Sequence, residues 1–190
     1  MTGTSRLNIP NFLTLARIVA IPAVVLLLIP GSQRVISPES SIAAFILFVG
    51  AAVTDLFDGY IARRYHMITD VGKLLDPLAD KLLVCAAMIM LIPAERVPAW
   101  MAVIVVAREI GVTALRGMAS TEGMVIAASR LGKWKTLLLN IGVAMLILYY
   151  PLFGLPVHQM GIWVLAAGIV LTAWSGLDYF FRFVGEIFKH

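Results

Sequence analysis

"TDLFDGYIARRYHMITDVGKLLDPLADKLL", residues 54–83, carries four aspartates, Asp55, Asp58, Asp76 and Asp80, inside two apolar stretches separated by a short basic turn. Residues three or four apart on a helix share a face. Asp55 and Asp58 stand at i and i+3, and Asp76 and Asp80 at i and i+4, so each pair lines one face of its own helix. Two antiparallel helices joined by the intervening turn, which holds Arg63, Arg64 and Gly72, pack side by side and bring the pairs together. Four adjacent carboxylates repel one another and retain protons if left alone. Hard divalent cations remove the conflict, because Mg²⁺ takes carboxylate oxygens, waters and substrate phosphates. Two such ions about 4 Å apart form the usual clamp for in-line displacement at phosphorus. The plainer reading makes these aspartates loop-edge partners of Arg63, Arg64 and Lys81. Helical spacing in an apolar setting weighs against it, since ionisable groups within membrane helices are expensive and mark function.

Outward from that stretch the chain is mostly hydrocarbon. It has 190 residues, 61% hydrophobic and 14% charged, with a mean hydropathy of +0.93. Soluble domains are nearer half apolar and a quarter charged. An all-α integral membrane protein is expected, one membrane-embedded catalytic domain over residues 1–190. A spanning helix needs roughly 20 apolar residues. Six segments qualify as transmembrane helices: 12–30, 41–63, 74–94, 98–118, 131–151 and 159–182. Residues 1–11 leave room for a short N-terminal interfacial helix. Asn8, Asn11, Thr14 and Arg17 interrupt the first apolar run, which reads as a retained helix rather than a signal peptide.

The formal charge of +4 would raise nucleic-acid binding in a soluble protein. Here no basic run is interleaved with aromatics, so no nucleic-acid partner is expected; the cations set topology and meet lipid headgroups. The single cysteine, Cys85, excludes an intramolecular disulfide. Ten lysines and arginines fall at the N-terminus, the second and fourth connections and the C-terminus, against Arg34 and Arg96 on the other side. That bias predicts a multi-pass protein of the inner (plasma) membrane with both termini and all four aspartates on the cytoplasmic side.

The spacing Asp55-x2-Asp58-Gly59-x2-Ala62-Arg63-x8-Gly72-x3-Asp76-x3-Asp80 resembles the signature of the CDP-alcohol phosphotransferase family, with every fixed position filled. The six-helix hydropathy is similar to that family's fold, so the resemblance covers nearly the whole chain. It implies two divalent cations, Mg²⁺ or Mn²⁺, and transfer of a substituted phosphoryl group from a CDP-linked donor to an alcohol with release of CMP. Asp55, Asp58 and Asp76 would be metal ligands, and Asp80 both a ligand and the general base for the acceptor hydroxyl. Gly59, Arg63 and Thr69 match positions that hold the CDP moiety. A homodimer is implied as well. Gly59 lets a ring or phosphate approach the helix backbone, and Arg63 can fork two donors onto a phosphate. From the residues alone, Arg63 and Arg64 are equivalent.

Three further stretches bear on the pocket. In "NIPNFLTLAR", Asn11, Thr14 and Arg17 recur on one face at the cytoplasmic end. Asn11 and Arg17 either line the nucleotide site or serve as a helix cap and an interface-snorkelling arginine. In "AREIGVTALRG", Arg108 is too costly beside lipid and must face the bundle or a wet cavity, paired with Glu109 or not. The connection before helix 5 ends in "SRLGKWKT". Arg108, Arg116, Lys133 and Lys135 form the candidate site for the acceptor's phosphate, against the alternative of topology-setting charges. The last two stretches are similar to those of the bacterial phosphatidylglycerophosphate synthase branch of the family. That resemblance implies CDP-diacylglycerol as donor and sn-glycerol 3-phosphate as acceptor. Inositol phosphate, serine or phosphatidylglycerol as acceptor is the nearest alternative, and a divalent-cation transporter a distant one.

Overall fold

Each of the six apolar runs becomes a helix: α1 (Ile9–Leu27), α2 (Pro38–Tyr65), α3 (Asp70–Leu91), α4 (Ala99–Thr121), α5 (Leu131–Leu148) and α6 (Val157–Ile187). The computed structural model describes residues 9–31, 33–65, 70–121 and 131–187. Within these, the side chains of residues 9–17, 55–65, 70–80, 116, 119–121, 131–133, 182, 186 and 187 lie outside the description. Among the described residues there is no strand beyond one bridge pairing Leu152 with Leu155.

Helix boundaries differ from the hydropathy segments where polar or proline chemistry decides them. The first helix begins at Ile9 rather than 12. Pro10 sits in its first turn, where a missing N–H is harmless and the fixed φ suits a helix. The last residues of the expected interfacial segment 1–11 therefore belong to α1, and residues 1–8 lie outside the described residues. Helix α2 begins at Pro38 because Ser37 caps it. The Ser40 N–H donates to Ser37 Oγ at 3.1 Å, and the Ser41 N–H donates to the Ser37 carbonyl at 2.9 Å.

Apolar side chains face both inward and outward. Phe48, Leu83, Met88, Leu91, Val105 and Leu165 are buried in one continuous core. Val19, Leu26, Ile46, Val103, Trp163 and Val170 are equally apolar and exposed, a surface that water would not tolerate at this extent. By length and composition one helical stretch among the described residues, Val157–Gly185, is long and apolar enough to cross a membrane; Ile18–Leu27, Pro38–Thr54, Lys81–Leu91 and Trp134–Leu148 are shorter apolar helices.

Helix α1 packs on α2 and α3, while α5 lies against α2, α3 and, most extensively, α6; α4 closes the bundle against α3 and α6. The α5–α6 contact follows from a heptad-like register on α6: Gly161, Leu165, Gly168, Thr172, Ser175 and Tyr179 are all buried. A Cβ on Gly142 of α5 would stand 2.8 Å from the Leu165 backbone nitrogen, and one on Gly168 of α6 would stand 3.1 Å from Leu139 Cδ2. Gly161 and Gly168 of α6 thus serve packing within the chain, while Ala167 and Ala173 face outward.

One end of the bundle is tied by Arg96. The charge count treats it as a loop cation like Arg34, but only 2% of it is exposed. Its Nη1 donates to the Ile147 carbonyl at 2.7 Å and its Nη2 to the Ile36 carbonyl at 3.2 Å. The guanidinium lies over the Tyr149 ring at 4.3 Å. Tyr150 Oη also donates to the Ile36 carbonyl, at 2.8 Å, and His158 Nε2 donates to the Arg96 carbonyl at 3.1 Å. Tyr149 holds φ at 64°, a left-handed conformation that disfavours a side chain by about 1–2 kcal/mol; its N–H closes α5 on the Met145 carbonyl at 2.9 Å. Burial pushes the Arg96 guanidinium below its usual pKa, with the tyrosines opposing the shift. Three connections are drawn together by this one side chain.

Two outcomes follow for stability in detergent. Arg96→Met leaves buried carbonyls without donors and is expected to destabilise the fold by about 2–4 kcal/mol. Gly142→Val forces α5 from α6 and is expected to be at least as damaging, since overpacking against backbone cannot be relieved by a rotamer. Thermal or denaturant melts of the purified variants measure both.

Candidate active site

The aspartates occupy matching levels of neighbouring helices. Asp58 lies seven residues before the end of α2 and Asp55 ten; Asp76 lies six residues after the start of α3 and Asp80 ten. At 1.5 Å per residue these are levels of about 10 Å and 15 Å from the helix ends on both sides. Helices α2 and α3 touch, and only residues 66–69 separate them. Side chains of all four aspartates lie outside the described residues, as do those of Gly59 and Arg63 on α2. Thr69 falls between the helices, outside the described residues altogether. Asn11 and Arg17 lie in the first three turns of α1, which contacts both aspartate helices; Arg116 lies on α4 and Lys133 in the first turn of α5. Their side chains too lie outside the description.

Immediately after Asp80 the side chains are described, and they form a charged cluster. Lys81 Nζ donates to Thr113 Oγ1 at 2.5 Å and stands 3.8 Å from Glu109 Oε2. Arg108 Nη1 donates to Glu109 Oε1 at 2.6 Å, and Lys135 Nζ donates to the same oxygen. Arg108 Nη2 donates to Ser175 Oγ at 3.0 Å, and Ser175 Oγ donates onward to the Thr172 carbonyl at 3.1 Å. Thr113 Oγ1 donates back to the Glu109 carbonyl at 2.6 Å. Residues from α3, α4 and α5 thus meet at one carboxylate, and α6 reaches it at one remove through Ser175 and Arg108.

Local register explains each arrival. Lys135 falls on the core stripe of α5 with Leu139, Val143 and Leu146, so a lysine is carried into the interior at the position where a heptad calls for an apolar residue. Ser175 lies on the buried seam of α6 between Thr172 and Tyr179. Gly176 beside it has no side chain, and a Cβ there would stand 3.4 Å from Arg108 Cγ. Arg108 therefore lies against α6 where Gly176 leaves it room.

Of the acceptor-site residues expected from sequence, Arg108 and Lys135 come together. Three partners escaped the sequence reading in this role: Glu109 as a hub, Lys81 as a member, and Ser175 as the seat for Arg108. The i, i+4 spacing of Glu109 and Thr113 and the α6 heptad were the available signals.

A profile of the family described as CDP-alcohol phosphatidyltransferase matches residues 7–174. The chain belongs to the CDP-alcohol phosphatidyltransferase family. Among curated relatives, the CDP-diacylglycerol–glycerol-3-phosphate 3-phosphatidyltransferase of Bacillus subtilis (strain 168) is 40% identical over 185 residues, covering 91% of this chain and 93% of that protein. A probable phosphatidylglycerophosphate synthase of Mycobacterium tuberculosis (strain H37Rv) is 38% identical over 188 residues, covering 98% and 87%. A CDP-diacylglycerol–glycerol-3-phosphate 3-phosphatidyltransferase of Shigella flexneri is 39% identical over 179 residues, covering 90% and 92%. Among the described residues no three His, Cys, Asp or Glu side chains gather; the acids whose spacing could hold a divalent ion are the four aspartates of α2 and α3. Four hard oxygen donors at two matched levels suit a pair of hard divalent ions.

The seat of Arg108 gives a direct test. Gly176→Ala fits at ordinary contact distance and is expected to melt like the parent. Gly176→Val pushes branched methyls into the guanidinium's path and is expected to lose about 1–3 kcal/mol, read from the same melts.

Proposed function

We propose that this protein is a six-span enzyme of the inner (plasma) membrane, with both termini and its reaction centre on the cytoplasmic side. It transfers the phosphatidyl group of CDP-diacylglycerol to sn-glycerol 3-phosphate, giving phosphatidylglycerophosphate and CMP. The observation that carries the choice of acceptor is the cluster beside Asp80. Among the described residues Arg108, Lys135 and Lys81 converge on the one carboxylate of Glu109, a basic array suited to an anion. A phosphomonoester carries about −1.5 to −2 at neutral pH, the charge such an array attracts; serine offers none, and the relatives' names favour glycerol 3-phosphate over inositol phosphate.

Six spans are supported by helix length, since each helix runs about 27 Å or more at 1.5 Å per residue against a hydrocarbon core of about 30 Å. Cytoplasmic placement rests on the ten-to-two distribution of lysine and arginine. A homodimer would use a surface other than the α6 glycine seam, which α5 fills.

The reaction then runs as a single displacement at phosphorus. Asp55, Asp58, Asp76 and Asp80 would hold two divalent cations, Mg²⁺ or Mn²⁺, which supply charge neutralisation at the donor's pyrophosphate and at the departing CMP. Asn11, Arg17, Gly59, Arg63 and Thr69 bind the CDP moiety. Arg108 and Lys135, with Arg116 and Lys133, hold the acceptor's phosphate and set the reach of its hydroxyl. Asp80 takes the hydroxyl proton. The acceptor oxygen bonds to the lipid-bearing phosphorus as the bond from that phosphorus to the bridging pyrophosphate oxygen breaks.

Purified protein with CDP-diacylglycerol and glycerol 3-phosphate is expected to release CMP only with Mg²⁺ or Mn²⁺ present. Asp80→Asn is expected to lower kcat by at least about a hundredfold, the usual scale for a general base. Full turnover in chelator would remove the metal reading. Turnover with serine or inositol phosphate in competition, and none with glycerol 3-phosphate, would remove the acceptor.

A further inference from the structure

Glu109 has no step in the reaction above, yet every cation described at the acceptor site touches it. Arg108 Nη1 and Lys135 Nζ converge on Oε1, while Lys81 Nζ faces Oε2. The carboxylate is only 12% exposed and the Lys135 side chain 8%. A buried brace needs one cation per acid, and here three meet one. Moreover, an ammonium carries three donors, and among the described residues Lys135 directs one of them at a protein acceptor. A buried ammonium with donors to spare, held beside a guanidinium, is an incomplete arrangement until an anion joins it.

We infer that Glu109 is a positioning residue for the acceptor's phosphate, its carboxylate gathering Arg108, Lys135 and Lys81 from three helices into one receiving array. The inference rests on the reading of this cluster as the acceptor-phosphate site. Like charges this close repel strongly in a bundle interior. Lysines on flexible stems relieve that repulsion by swinging apart, and a single fixed acid between them prevents it. Sharing Oε1 between Arg108 and Lys135 holds those two cations at one point and leaves the other two ammonium donors of Lys135 for the phosphate. Lys81 follows Asp80 on α3, so the same acid ties the receiving array to the helix that bears the proposed base. Glu109 therefore acts through its neighbours and does not touch the reacting atoms.

The test is steady-state kinetics in nanodiscs, varying glycerol 3-phosphate at saturating CDP-diacylglycerol and then the reverse, with inorganic phosphate as a competing probe. Glu109→Gln keeps the shape and removes the charge. It is expected to raise the acceptor KM about tenfold or more and to weaken inhibition by phosphate in parallel. The donor KM should stay at its parental value, while the melting temperature falls because the buried cations lose their counter-charge. An unchanged acceptor KM overturns the inference. So does a lowered one, which would make the acid a competitor of the phosphate, or a joint fall of kcat and melting temperature with the acceptor KM unmoved, which would make it a brace. Arg108→Gln separates the two levels of the argument: if it leaves the acceptor KM unmoved, the acceptor-site reading itself fails. If it raises that KM and Glu109→Gln does not, only the role of Glu109 fails. Should Glu109→Gln not accumulate, Glu109→Asp withdraws the charge by one methylene; a raised acceptor KM is expected, and a parental one overturns the proposal.

Discussion

A full charge inside an apolar bundle persists only when its hydrogen-bond partners or counter-charges are built in with it. Both ends of this molecule are organised by that constraint, with opposite results. At one end Arg96 is met by neutral groups, the Ile147 and Ile36 carbonyls and two tyrosine rings. Nothing is left over, and the end is closed. At the other, Arg108, Lys135 and Lys81 are met by one carboxylate. Three cations share one acid there, and in the proposed reading the acceptor's phosphate completes the arrangement. Structural and functional charges are thus told apart by how fully the chain itself satisfies them.

Close helix packing is what makes the second arrangement reachable. Gly142 and Gly168 remove side chains where α5 and α6 meet, so the two backbones approach nearly to contact. The same seam continues into Thr172 and Ser175, where apolar packing gives way to hydroxyls. Lys135 on α5 and Arg108 on α4 arrive at that polar end from either side.

Chemistry at a lipid phosphate also demands that two substrates of different character meet at one depth. The donor belongs to the bilayer and the acceptor to water. Asp80 and Lys81 are consecutive on α3, so the proposed phosphoryl centre and the acceptor's phosphate site share one rigid element. A three-carbon acceptor held at its phosphate can then present its hydroxyl with little orientational freedom left to lose.

Much of this was legible in the chain alone. Apolar runs of spanning length located all six helices, because a membrane imposes its thickness on any segment that crosses it. The i, i+3 and i, i+4 aspartates pointed to phosphoryl chemistry, the chemistry of the family to which the chain belongs, while their part as metal ligands belongs to the proposal. Boundaries at Ile9 and Pro38 depended on proline and a serine cap, which hydropathy does not weigh. What only the tertiary structure decided was partnership. Arg34 and Arg96 are alike in a count of charges, yet one is exposed and one holds three connections together. Glu109 reads as half of a pair with Arg108, yet α3, α5 and α6 bring it two further cations and a serine seat for the first. Periodicity along one helix states which face turns inward; which residue of another helix waits there depends on how the helices pack, and no local pattern carries that information.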